Sequence, residues 1–206
     1  MMNVILGGLI ALAGQCLMWF ITTRTSQKER MRLERKAQQY LATRLIIILD
    51  EYVGDCYSTV HDPLGVNAEG YTKATVPDPQ LTLPDGDYSI LETQLMYTVL
   101  RLPSKNRNVV EALPYFYDDF PDFDSLFRFR REKFSELGLL AATVVRTLCN
   151  TYSLPMPERE AFYRPEEEFQ EYISVKGKIE VLRQRRLEEY EYKNAQKKHE
   201  GGLATG

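Results

Sequence analysis

Two histidines, three cysteines and one tryptophan in 206 residues leave little material for chemistry. His199 lies in a polar tail, which leaves His61 as the histidine with a patterned neighbourhood. Glu51, Asp55, Cys56, His61 and Asp62 are metal-capable types close in sequence, but no Glu-x-x-His pair accompanies them. That pair is what a carboxylate-bridged metal site in a helical bundle uses, so the group reads as a solvated helix end, with no metal and no cofactor. Cys16, Cys56 and Cys149 are odd in number and widely spaced. They show neither a disulfide framework nor a zinc spacing, and this suits a reducing cytoplasm. Neither Cys56 nor Cys149 belongs to a catalytic signature, with only His61 to act as a base. Phosphate loops of the G-x-x-x-x-G-K-[ST] and G-x-G-x-x-G kinds are missing as well. No catalytic residue is assigned: the chain reads as a non-enzyme with no evident small-molecule substrate.

Charge is absent from Asn3 to Ile21 (NVILGGLIALAGQCLMWFI). A helix of that length rises about 28 Å, close to the roughly 30 Å hydrocarbon core of a bilayer. Only Met1, Met2 and Asn3 precede the run, so the positive leader of a secretory signal is missing, and Thr22-Thr23-Arg24 is a poor cleavage site. Leu12-Ala13-Gly14-Gln15-Cys16 resembles a lipoprotein signal, except that Gln15 stands where a small residue is required and the apolar run continues past the cysteine. A transmembrane anchor over 3–22 is the expectation. Arg24, Lys28, Arg30, Arg32, Arg35 and Lys36 follow at once, against Glu29 and Glu34. A positive flank stays cytoplasmic, so the N-terminus is expected outside a cell (inner) membrane and the rest in the cytoplasm. The same six cations are candidates for contact with anionic lipid head groups. Gly7, Ala11 and Gly14 share one helix face, with Gln15 beside them, and form a candidate surface for transmembrane self-association.

Beyond the anchor the composition is ordinary for one globular domain, with 44% hydrophobic and 27% charged residues. The net charge of −3 hides an asymmetry, because residues 50–124 hold fourteen carboxylates and four cations. Such an acidic middle excludes a nucleic-acid surface there and would be repelled by anionic lipid.

Apolar periodicity places helices in turn. Residues 23–61 hold the basic flank and a first bundle helix, with Tyr40, Leu41, Leu45, Ile48, Leu49, Tyr52, Val53, Cys56 and Val60 at helical spacing. Ser26-Gln27-Lys28-Glu29 fits a capping box for a new helix, and one unbroken helix from the anchor onward fits equally. Pro63 closes it. Residues 62–86 form a long Pro- and Gly-containing loop, in which 76–83 suits an extended segment packed along the bundle. Residues 87–192 complete the bundle. A helix capped by Asp85 or Asp87 carries Leu91, Leu95, Val99 and Leu102, Pro103 is expected to break it, and Ser104 to cap a shorter one. Asp122 or Asp124 is expected to cap a strong helix with a face of Phe127, Phe134, Leu137, Ala141, Val144, Val145, Leu148 and Tyr152. Pro165 opens the last helix, with Phe169, Tyr172, Ile173, Val175, Ile179, Leu182, Leu187 and Tyr190 following, and residues 193–206 form a polar flexible tail.

Tyr115, Tyr117, Asp118, Asp119 and Asp122 interleave rings and carboxylates and offer a candidate surface for a basic partner, while Arg128, Arg130 and Arg131 stand ready to pair with those acids inside the chain. The fold class is all-α: one N-terminal transmembrane helix, then an antiparallel bundle of four or five helices. The function expected is a membrane-anchored interaction or adaptor protein whose partners are the lipid bilayer and either a protein partner or a homo-oligomer. The alternative is a membrane-active effector that works through oligomerisation of its anchor.

Overall fold

One helix, α1 (Met2–Val60), carries both the expected anchor and the first element of the bundle without interruption. The structure, a computed structural model, describes residues 2–116, 123–175 and 177, with the side chains of residues 2–17 and of Ile21 excepted. The expected anchor therefore falls largely outside the described side chains, and among the described residues no helix is long and apolar enough to cross a membrane. The Ser26 hydroxyl donates to Thr23 O at 3.0 Å, inside the helix, so it does not cap a new one. Every residue from 24 to 37 is exposed, and burial begins at Leu41. Tyr40 was expected on the buried face but is 67% exposed. It precedes Leu49 by about two and a half turns of 3.6 residues, which puts it on the opposite side of the helix.

The long loop is an ordered return strut. It opens with a two-stranded antiparallel hairpin, β1 (Gly65–Val66) and β2 (Thr72–Lys73), closed by Asn67, whose Oδ1 accepts from the backbone N–H of Glu69 and Tyr71. Gly70 takes φ 88°, a conformation open to glycine without a Cβ penalty. The chain then runs back along α1. Thr59 Oγ1 donates to Pro77 O at 3.5 Å, Arg44 Nη1 to Asp85 O at 2.8 Å and Gln38 Nε2 to Ile90 O at 2.8 Å. The α1 partners fall in number as the strut rises, so the two are antiparallel. Residues 77–90 reach at most about 43–47 Å when extended. That suffices to span the about 32 Å of helix from Gln38 to Thr59. Proline suits an extended strut whose N–H groups have no ladder to join, and Pro79, Leu81 and Pro84 are buried.

A short 3-10 turn (Tyr88–Ile90) precedes α2 (Thr93–Ala112); Asp87 caps the turn by accepting from Ser89 N at 3.0 Å. Because the strut has already returned the chain, α2 runs parallel to α1: Gln38 meets Ile90 before α2, and Tyr52 meets Asn106 inside it. The expectation of a simply antiparallel bundle is corrected here. Corrected too is the break at Pro103, which lies inside α2. Interior proline costs about 3 kcal/mol. Against that, Val99 and Leu102 are fully buried on either side of the lost hydrogen bond, each worth about 1.5–3 kcal/mol. Asn106 then holds the next turn, accepting from Tyr52 OH at 2.9 Å and donating to Pro79 O at 3.0 Å.

Another 3-10 turn (Leu113–Phe116) leads to α3 (Asp124–Tyr152), which descends antiparallel to α1 and packs chiefly on it. All eight residues of its expected apolar face are buried. Its cap is not Asp124, which sits in the first turn; Phe123 stands before it in the left-handed region at φ 54° with no side-chain cap bond, and Asp122 lies outside the described residues. Ser153, at φ 55°, ends the helix, and Leu154 N bonds to Cys149 O at 2.9 Å. Helix α4 (165–175) starts at Pro165, as expected, and buries Phe169 completely, whereas Val175, expected with it, is exposed. The expected apolar positions Ile179, Leu182, Leu187 and Tyr190 and the tail 193–206 fall outside the described residues.

Gly138 is what lets α4 dock. A Cβ at that position would stand 2.5 Å from the Phe169 ring and 3.0 Å from Cys56 Cβ. Gly138→Ala gains about 1 kcal/mol of helix propensity but forces a fully buried ring to move, an overpacking cost of about 1–3 kcal/mol. A lower thermal midpoint is expected, by far-UV circular dichroism of the full chain in detergent; an unchanged or higher midpoint would show that the ring yields freely.

Candidate functional site

The described surface is a mast, residues 24–37 of α1, rising from a bundle whose far end is closed by a buried ionic cluster. The sequence pattern held Arg130 only as one arginine of a run. In the structure it is 3% exposed and inserted beneath the end of α1. Its Nη1 donates to Asp62 Oδ2 at 3.0 Å, its Nε to Asp78 Oδ1 at 2.6 Å and its Nη2 to Val76 O at 2.6 Å. Arg131 adds a bond from Nη2 to Asp62 O at 3.1 Å. Arg130 and Arg131 thus bond to the segment that leaves α1, and Arg128 is exposed; Asp118, Asp119 and Asp122, the acids expected to pair with these arginines, lie outside the described residues. Asp62 is fully shielded and also accepts from Thr75 Oγ1 at 2.5 Å, Leu64 N at 3.0 Å and Val76 N at 3.2 Å. Burial alone would raise its pKa, but the Thr75 hydroxyl and the three backbone N–H groups of Leu64, Val76 and Thr75 outweigh it and hold the carboxyl down at about 2.

The metal-capable residues near the end of α1 point to different partners. His61 Nε2 lies 2.7 Å from Glu168 Oε2, and Tyr57 OH donates to Glu168 Oε1 at 2.9 Å. Tyr57 stacks on His61 at 4.2 Å between ring centres and meets Tyr163 edge-on at 4.9 Å. This cluster fastens α4 to α1. Cys56 is fully buried; burial, partly offset by a hydrogen bond with Tyr52, pushes its thiol up to about 12, far from a reactive thiolate. Asp62 belongs to Arg130. No group of three or more His, Cys, Asp or Glu among the described residues is arranged to hold a metal.

The base of the mast is pinned. Gln38 bonds to Ile90 O, and Gln39 Nε2 donates to Tyr152 O at 3.1 Å, satisfying a carbonyl that the end of α3 leaves without a helical partner. Nothing in the sequence singles out these glutamines. Around the junction, Met31, Arg35, Gln38, Ile90 and Tyr152 line a groove of about 500 Å³. A second groove, of about 400 Å³ and mostly apolar, runs between Ile46, Ile47 and the Leu154–Pro157 turn.

The expected site residues divide as follows. Arg24, Lys28, Arg30, Arg32, Arg35 and Lys36 are all exposed; Arg24 lies over the Phe20 ring at 4.1 Å, and Arg30 pairs with Glu34 at 3.3 Å. Tyr115 is 82% exposed. Tyr117, Asp118, Asp119 and Asp122, like the side chains of Ala11 and Gln15, lie outside what is described, and Gly7 and Gly14 are described only as helical backbone of α1.

Asp62→Asn removes the counter-charge of a buried guanidinium, a loss of about 3–5 kcal/mol when a buried pair is broken from one side. Because the folded carboxyl is depressed to about 2, its stabilisation is complete above the unfolded value near 3.9 and is lost as pH falls through about 2. Denaturant midpoints of wild type and Asp62→Asn are therefore expected to lie far apart at neutral pH and to converge as pH drops from about 4 towards 2. A gap that stays constant across that range would refute the ionic account. Comparison with known proteins returns no match to a family model, a curated protein or a solved structure.

Proposed function

We propose that this chain is a single-pass membrane adaptor that presents an acidic helical bundle to a protein partner on the cytoplasmic side. The observation that carries the reading is the continuity of α1: one helix joins the uncharged run Asn3–Ile21 to the bundle through residues 24–37, every one of them exposed. This exposed stretch, on a helix held at its base by Gln38 and Gln39, makes a spacer of about 21 Å. The nineteen-residue uncharged run and its basic flank support the anchor and its orientation.

Head-group contact narrows on this geometry. The polar layer on each side of a bilayer is about 5–8 Å thick. Along a helix normal to the membrane, Arg24 and Lys28 stand about 5–10 Å past Ile21, while Arg30, Arg32, Arg35 and Lys36 stand about 14–22 Å past it. The first two cations are the lipid contacts; the others serve the topology rule and the solvation of the mast. The fourteen carboxylates of residues 50–124 keep the bundle off an anionic leaflet.

In alkaline carbonate extraction the full chain is expected to remain in the membrane pellet, and an arginine at Leu9 and at Leu12 to release it. Recovery of wild type in the supernatant would end the anchor reading. Crosslinking and pull-down of the full chain from its native membrane is expected to recover one stoichiometric partner. Recovery of self-crosslinked oligomers alone, with loss of membrane activity on Gly7→Leu, Ala11→Leu and Gly14→Leu, would replace the adaptor by a membrane-active effector.

A further inference from the structure

We propose that His61 is a proton-controlled clasp on α4: with both ring nitrogens protonated it holds Glu168 against the end of α1, and loss of one proton loosens α4 around Phe169. Each ring nitrogen faces an acceptor. Nδ1 lies 2.9 Å from the Tyr57 carbonyl oxygen, and Nε2 lies 2.7 Å from Glu168 Oε2. A neutral imidazole offers one donor and one acceptor, so it can serve only one of these oxygens; the imidazolium donates to both. Position adds to the fit. His61 follows directly on α1, which ends at Val60, and the free carbonyls of a helix C-terminus favour a cation. The Tyr57 ring stacks on the imidazole, 4.2 Å between centres and 29° between planes, and fixes it between its two acceptors.

Among the described residues, the charged and titratable groups around the ring come from four elements. Tyr57 belongs to α1, and Asp62 follows His61 as the chain leaves it. Arg131 on α3 donates to the Asp62 carbonyl, Tyr163 meets Tyr57 edge-on from the connection before α4, and Glu168 stands on α4. Asp62, held at about 2, stays ionised at neutral pH, while burial raises both Tyr57 and Tyr163, which stay neutral there. Histidine is the side chain that ordinarily changes charge in this range. A histidine that gains acceptors on folding contributes stability that is complete at low pH and is lost as pH rises. Glu168 passes the effect to α4. It also accepts from Tyr57 OH at 2.9 Å, and its neighbour Phe169 is the fully buried ring seated on Gly138 beside Cys56. The first turn of α4 has a separate hold, through Glu166 on Arg146 and Arg159. His61 and Glu168 are 44% and 35% exposed. A pair so placed shifts a local opening of α4 and leaves the bundle folded.

The test compares the full chain in detergent as wild type, His61→Gln and Glu168→Gln between about pH 5.5 and 8.5. Two rates are read by mass spectrometry: amide exchange of residues 169–175 and thiol labelling of Cys56. Dividing each by the rate in His61→Gln at the same pH cancels the intrinsic pH dependence of both reactions. Wild type is expected to be about three- to five-fold slower than His61→Gln at the acid end, the size of a half-exposed ion pair at a helix terminus, and equal to it at the alkaline end. Glu168→Gln keeps an acceptor for Tyr57 but removes the charge, and is expected to follow His61→Gln throughout. A ratio that does not change with pH, or a pH dependence that survives in Glu168→Gln, would overturn the clasp. Nitrogen-15 NMR of the imidazole reads the ring itself. Both nitrogens are expected to be protonated at the acid end; one bare nitrogen there, its bond supplied by a protonated Glu168, would overturn the clasp as well.

Discussion

The contact between Arg130 and Asp62 determines what the loop can be. A guanidinium 3% exposed has to be matched by charge and hydrogen bonds, or its desolvation outweighs what it contributes. Here Asp62, Asp78 and the Val76 carbonyl supply the match, and all three belong to the segment that leaves α1. The cation on α3 thereby gathers the first residues of the strut and sends the chain back along α1. From that return come the parallel run of α2, the placement of Asn106 against Tyr52, and a core in which α1 packs chiefly on α3. A fold whose connectivity depends on a buried pair of this kind gains specificity at the cost of sensitivity to any change in either partner.

Much of the helical pattern was legible, because burial on a helix leaves a 3.6-residue trace. The face of α3, the end of α1 at Val60 and the start of α4 at Pro165 all follow from apolar spacing or from proline. What was not legible arises from contacts distant in sequence. Pro103 reads as a break until Val99, Leu102 and Asn106 are seen to be held by α1 and the strut. Tyr40 continues the run of apolar residues, and only its phase relative to Leu49 shows that it faces outward. Arg130 could not be told from Arg128 or Arg131, since sequence spacing carries no information about which cation of a run enters a core.

The candidate surfaces were legible to a lesser degree. The exposed cations of the mast follow from composition, whereas the glutamine clamp at its base depends on the free carbonyl of Tyr152, a group every helix end offers and no residue type announces. The metal-capable residues near His61 illustrate the converse. Adjacent in sequence, they radiate from the helix end toward Arg130, Glu168 and the core, because successive residues of a helix face different directions.

The glutamine clamp gives α1 a mechanical character. Gln38 and Gln39 grip two separate carbonyls, one on the strut and one on α3, so the bundle cannot swivel about the mast without breaking a bond. A continuous helix is stiff in torsion as well as in bending. The mast thus works as a drive shaft: a turn of α1 about its own axis at one end sweeps the whole bundle through the same angle at the other, with no hinge between them to absorb the motion.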